Sequence, residues 1–120
     1  MKEKRLVAVF GLIAVLLLSS MAVFIHTTAK SHQLSDADIA VLRTIFDADF
    51  YAERYPDVVK VHGTDPEALF THFCLFGIDE GREPFDGFNV FAYKSAYEDL
   101  RLAYGDDNVM YYLHYALLGK

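Results

Sequence analysis

His72 and His114 stand forty-two residues apart in matching surroundings, LFTHF and YYLHY, and are the first side chains in this sequence that could do chemistry. As metal ligands, two histidines would need further Cys, His or carboxylate partners at a recognisable spacing, and none is present around them. The spacing favours histidines whose rings pack in a core while one ring nitrogen bonds a neighbouring helix. The acidic stretch Asp79-Glu80-Gly81-Arg82-Glu83 raises glycoside hydrolysis, which needs two carboxylates facing each other across a cleft in different environments. Near-adjacent acids on a turn, with Arg82 between them and Pro84 following, read instead as a solvated, partly salt-bridged link. There is no calcium loop, no phosphate-cradling glycine loop and no serine or cysteine nucleophile motif, so no catalytic, cofactor-binding or metal-binding residue is assigned.

Aromatic residues are the remaining chemistry. Eight tyrosines and eight phenylalanines lie between Phe46 and Tyr115, with no tryptophan. Tyrosine joins a flat apolar face to a polar rim, and an exposed row of them stacks on sugar rings or builds a protein interface. Tyr51, Tyr55, Tyr93 and Tyr97 fall at helix-packing spacings. Tyr104, Tyr111 and Tyr112 are therefore the candidates for contact with a ligand or partner. Cys74 is the only cysteine, so no internal disulfide forms; it reads as a small buried side chain, because Ala116 holds the equivalent place.

The elements that position these residues are written twice. Phe46 set against Phe88 and run forward without a gap gives Phe46/Phe88, Tyr51/Tyr93, Tyr55/Tyr97, Asp57/Asp99, Gly63/Gly105, Asp65/Asp107, His72/His114, Leu75/Leu117 and Gly77/Gly119, nine identities in thirty-two positions. A period of 42 lies in the range of helical repeat units, which bury their apolar faces only against neighbours. Asp47 is a good N-cap, Pro56 forces a new first turn, and Gly63 and Gly105 suit the positive-φ residue that ends a helix. Glu98 in place of proline predicts a smoother junction in the second copy. Thr64-Asp65-Pro66-Glu67 and Asp106-Asp107-Asn108 start the next helices, whose stripes Leu69, His72, Phe73, Phe76 and Tyr111, His114, Tyr115, Leu118 face a core. Gly77 and Gly119 are expected to end them. Ser35 caps a leading helix carrying Ile39, Leu42 and Ile45.

Leu6 to Ile25 is a run of twenty residues without a charge, long enough as a helix to cross the roughly 30 Å core of a bilayer. Lys2, Lys4 and Arg5 precede it and hold the start in the cytoplasm, which sends the remainder outside. The run is read as an uncleaved signal-anchor, with a cleaved signal peptide as the alternative; small residues at Ser20 and Ala22, or Thr27 and Ala29, would serve a peptidase. Residues 30–120 carry eight basic and sixteen acidic groups, a net of −8, which argues against nucleic acid as a partner.

The pattern Phe46-Asp47, Phe50-Tyr51, Tyr55-Pro56-Asp57-Val58, Gly63, Asp65-Pro66, His72-Phe73, Gly77, Glu80-Gly81-Arg82 and Pro84 resembles an aromatic-rich helical repeat of secreted proteins of Gram-positive anaerobes. Phe88-Asn89, Tyr93, Tyr97, Asp99-Leu100, Gly105, His114-Tyr115 and Gly119 look like its companion form. The resemblance implies an accessory module of cell-wall hydrolases and other surface enzymes, with a wall- or carbohydrate-binding role and no catalytic residues of its own. The sequence thus predicts an all-α chain: a basic start (1–5), a transmembrane helix or signal peptide (6–25), a polar spacer (26–34), a leading helix (35–45), a first repeat (46–87) and a second (88–120) lacking the terminal link. The expected function is a non-catalytic, membrane-tethered binding or scaffolding module outside the membrane, recognising wall glycan or an envelope protein. The alternatives are a membrane-anchored assembly factor that homodimerises through the face a further repeat would cover, and a small cell-wall hydrolase.

Overall fold

A computed structural model describes residues 32–119. The proposed membrane segment lies outside those residues; among the described ones, no helix is long and apolar enough to cross a membrane. Seven α-helices are present there, with no strand: α1 (Asp36–Arg43), α2 (Ala48–Arg54), α3 (Pro56–His62), α4 (Pro66–His72), α5 (Val90–Ala96), α6 (Glu98–Tyr104) and α7 (Asn108–His114). A π-helical turn prolongs α4 over Phe73–Gly77, and another prolongs α7 over Tyr115–Gly119.

Local chemistry fixes the starts. Ser35 Oγ accepts the Asp38 amide at 3.1 Å while Asp38 accepts the Ser35 amide at 3.0 Å, a reciprocal capping box that opens α1. Asp47 and Asp65 each accept from the amide three residues on, and Asn89 accepts from the Phe91 and Ala92 amides, so α2, α4 and α5 begin where an acceptor side chain is available. Tyr55 closes α2 and opens α3, turning the chain at φ −125°, ψ 71° ahead of Pro56. Tyr97 makes the same turn at φ −125°, ψ 95° without a proline after it. The junction in the second copy is therefore as sharp as the first, because packing of the paired tyrosines sets it and not the proline. Gly63 (φ 77°, ψ −163°) and Gly105 (φ 57°, ψ −122°) end α3 and α6 in backbone regions that belong to glycine, with open space where a side chain would stand.

Each copy folds into a triangle of helices: α2, α3 and α4 touch pairwise, and so do α5, α6 and α7. Helix α1 lies against α7 and its π turn. It is also tied to α4, since Arg43 pairs with both Glu67 oxygens (2.7 and 3.3 Å) and stands 4.3 Å over the Phe70 ring. That ion pair is exposed and contributes at most about 1 kcal/mol, so its use is orientation. The core carries the stability: Leu42, Tyr51, Leu69, Phe73, Val90, Tyr111 and Tyr112 are fully buried, each large apolar side chain contributing about 1.5–3 kcal/mol by leaving water.

The glycines expected to stop the last helix of each copy have a different task. Gly77 lies inside the π turn, and the backbone stays helical through Ile78 (φ −62°, ψ −49°), whose amide bonds Phe73 O at 3.0 Å across five residues. That extra residue rotates the stripe by one position. Phe76 (54% exposed) and Leu118 (76%) leave the core face that an α-helical count assigns them, while Gly77 and Ile78 go in. A methyl group at Gly77 would stand 2.5 Å from Tyr51 Oη, and one at Gly119 would stand 3.0 Å from Tyr93 Oη, so both glycines make room for a tyrosine hydroxyl.

Gly77→Ala is expected to lower the unfolding free energy by about 1–3 kcal/mol through overpacking, and Gly63→Ala by a similar amount through backbone strain. Combined with Tyr51→Phe, which empties the space, Gly77→Ala loses much of its cost while Gly63→Ala keeps all of it; denaturant melts of the three single and two double variants check this.

Candidate functional site

The two histidines are each joined to a tyrosine twenty-one residues earlier. Tyr51 Oη lies 2.9 Å from His72 Nδ1, linking α2 to α4, and Tyr93 Oη lies 2.7 Å from His114 Nδ1, linking α5 to α7. The surrounding rings repeat as well: Tyr51–Tyr55 and Tyr93–Tyr97 are both 4.9 Å apart and inclined by 60°, while Phe46–Tyr51 and Phe88–Tyr93 are both 5.1 Å apart. Burial pushes the Tyr51 hydroxyl well above its ordinary range, so it stays protonated. It also holds the His72 ring below its usual value, outweighing the opposite pull of Glu80. The pair thus joins two helices through a hydroxyl that stays protonated and an imidazole that burial biases toward its neutral form. Among the described residues, no three of His, Cys, Asp and Glu come together as a metal-binding group.

The link between the copies is folded around Arg82. Its guanidinium makes a bidentate pair with Asp57 (3.1 and 2.7 Å), bonds Glu80 at 2.8 Å and lies 4.7 Å over the Tyr55 ring. The next amide, Glu83 N, donates to Tyr55 Oη at 2.6 Å. Bonding from Arg82 is the main cause that holds the Asp57 carboxyl below its usual range, and the same bond raises Arg82. The second copy grips this link from the other side, with Tyr112 Oη donating to Arg82 O at 2.7 Å and Asn108 Nδ2 to Ile78 O at 2.9 Å. The expected solvated, partly salt-bridged link does carry ion pairs and exposes Asp79 and Glu80, while its Gly81–Pro84 stretch is enclosed. Arg82 is only 18% exposed, Pro84 is fully buried, and Gly81 (φ 73°) is covered by the Phe91 ring so closely that any side chain there would enter it. Glu80 pairs with Arg82, and Glu83 with Arg54.

Of the three tyrosines expected at the surface, two are inside. Tyr111 and Tyr112 are fully buried, with Tyr111 Oη donating to Gly105 O at 2.6 Å and Tyr112 packed at 5.6 Å against Phe73 and 5.1 Å against Phe88. Helix α7 touches α5, α6 and α1, and the Phe73 and Phe88 rings close over Tyr112, so Val109, Tyr111, Tyr112 and Leu113 all go under. Tyr104 is half-buried, edge-on to Tyr111 at 5.5 Å. Tyr97, assigned to packing, is the exposed tyrosine at 47%. Cys74 is partly buried against the core, and burial pushes its thiol up to about 11, so it stays an unreactive thiol.

The open feature of the surface is a cleft of about 370 Å³ lined by Thr44, Ile45, Phe46, Asp47, Phe85 and Tyr115. It brings the end of α1, the entry to the first copy, the link and the last turn of the second copy to one place. Phe85 and Tyr115 stand 5.8 Å apart along it, and Asp47, whose carboxylate caps α2 by accepting the Phe50 amide, is among its lining residues. Sequence reading passes over it, because Phe85 lies outside both stripes and Phe46 and Tyr115 are taken as core. Set against known protein families, characterised proteins and solved structures, the chain matches none.

Two outcomes are expected for the buried pairs. Tyr51→Phe leaves His72 Nδ1 without its partner and costs about 1–3 kcal/mol, more than Tyr93→Phe, whose partner His114 is less buried. In pH titrations of stability, the depressed His72 makes the folded state fully favoured above its ordinary value of 6.5 and weaker as pH falls below it, a slope that His72→Gln flattens. A second loss follows in more acid solution as pH falls through the depressed Asp57 value, and Asp57→Asn removes it.

Proposed function

We propose that the chain is a non-catalytic, membrane-tethered binding or scaffolding module of the cell envelope, with the helical domain outside the membrane and wall glycan or another envelope protein as its partner. The observation that carries this reading is the aromatic-walled cleft. Three aromatic residues, Phe46, Phe85 and Tyr115, line a cleft together with Thr44 and Asp47, a mix of apolar and polar residues that suits sugar rings. The engagement of the recurring histidines, Asp57 and Glu80 in internal bonds supports binding over catalysis. The uncharged run Leu6–Ile25 behind a basic start supports the tether, and the repeat pattern's resemblance to wall-associated modules supports the address.

A specific observation also favours the assembly reading. Leu75, Phe76, Leu117 and Leu118 are 63%, 54%, 64% and 76% exposed, the same apolar pair in both copies, and such side chains serve association between copies.

Full-length chain in detergent micelles is expected to be retained by purified cell wall and by a subset of glycans on an array, and Phe85→Ala to weaken that retention about fivefold at unchanged melting temperature. Absence of retention on both, together with concentration-dependent self-association lost in Phe76→Ser/Leu118→Ser, replaces the glycan reading with the assembly one. Sequencing the mature N-terminus from membranes separates anchor from cleaved signal.

A further inference from the structure

Two imidazoles that sequence reading does not pair meet in the first copy. His62 is the last residue of α3 and His72 the last of α4, and their ring centres lie 5.2 Å apart with the planes inclined by 49°. Two imidazoles bound to one tetrahedral ion, each through a nitrogen about 2.0–2.1 Å from it, have ring centres about 5 Å apart. The two helix ends already hold the rings at that distance. The nitrogens are also available. His72 Nδ1 is engaged by Tyr51 Oη at 2.9 Å, and no other hydrogen bond reaches the ring. Among the described residues no buried side-chain nitrogen lacks a partner, so Nε2 is the atom through which His72 meets the surface. His62 is exposed, makes no hydrogen bond or ion pair among the described residues, and can turn to present either nitrogen. The second copy has no such pair, since Tyr104 stands in the place of His62, 6.2 Å from the His114 ring.

We propose that His62 and His72 bind one divalent transition ion, zinc, nickel or copper, through a nitrogen each, with water in the remaining positions, and that the ion staples the end of α3 to the end of α4. The donor set specifies the ion. Glu80 and Asp57, the acids that act on His72, are both bonded to Arg82, so the protein supplies two imidazole nitrogens and no carboxylate. Such a set suits borderline transition ions and not calcium or magnesium, which take oxygen ligands. Ligation at Nε2 selects the tautomer whose Nδ1–H donates to the Tyr51 oxygen, the arrangement by which a second group orients a ligating histidine. Burial favours the neutral form of His72, the form that binds metal. Phe76, moved outward by the π turn, stands 5.7 Å from the His72 ring and gives it an apolar neighbour. The site does not depend on the membrane-tethered reading and is separate from the aromatic cleft.

The test uses untagged full-length chain in micelles, stripped of metal, with its histidine rings isotopically labelled, titrated at neutral pH with zinc alone. Saturable shifts at the His62 and His72 rings are expected, with His114 unmoved and the melting temperature raised. His62→Gln, and His62→Tyr, which gives the first copy the residue of the second, weaken the binding about tenfold or more at unchanged metal-free melting temperature. Mildly acid solution reverses the binding, because protons compete for the same nitrogens. Replacement of His26 and His32 by glutamine, which removes the other histidines near the start of the domain, leaves it in place. No saturable shift at His62 and His72, binding that both His62 variants retain in full, or binding that disappears with His26 and His32 overturns the proposal.

Discussion

Everything in the domain is arranged around a tyrosine hydroxyl that must reach a histidine through a space only glycine leaves open. Tyr51 comes from α2, His72 from the end of α4, and Gly77 from the π turn that follows, so three separate stretches are fixed by one bond of 2.9 Å. The rings around it are edge-on neighbours whose inclinations follow once the hydroxyl is pinned. A buried hydroxyl and a buried imidazole are each costly alone and inexpensive together, which makes the pair a device for selecting one helix arrangement as much as for stabilising it. The second copy repeats the device with a looser shell, since His114 is less covered than His72.

The copies are joined by enclosure of backbone as well as by a shared apolar core in which Phe73 meets Tyr112. Arg82 reaches back to the first copy with its side chain, while its carbonyl and that of Ile78 are taken by Tyr112 and Asn108 of the second. A segment so bonded on two sides is a structural element in its own right, though it contains neither helix nor strand along most of its length. Its glycine and proline are buried for that reason, and the aromatic cleft opens beside it because Phe85 is the residue at which the link leaves this enclosure.

Much of this was legible from residue types. Ser35, Asp47 and Asp65 announce helix starts because capping is a local interaction, and Gly63 and Gly105 announce stops because their backbone angles exclude other residues. The histidines could be placed in the interior from their position in a stripe. What was hidden depends on distance along the chain. Nothing near Arg82 in sequence indicates that Tyr55 and Asp57, twenty-five and more residues earlier, will enclose it. Tyr111 and Tyr112 look like alternating faces of an amphipathic helix, and Tyr112 goes under because Phe73, Phe88 and the Arg82 carbonyl, all distant in sequence, close over it. The π turns were invisible because one added residue leaves composition and capping unchanged while moving Phe76 outward.

That added residue has a consequence for how such units can be concatenated. A π turn amounts to a single insertion in an α-helix, and both copies carry theirs at the same place, so the two sequences still align without a gap. Unit length and helix geometry are therefore linked: losing the π turn without a deletion would return Phe76 or Leu118 to the interior and set a large side chain against the tyrosine hydroxyl, whereas deleting one residue ahead of Phe76 would restore ordinary helical pitch and leave Gly77 on the inner stripe. The period of 42 thus carries the π turn with it in both copies.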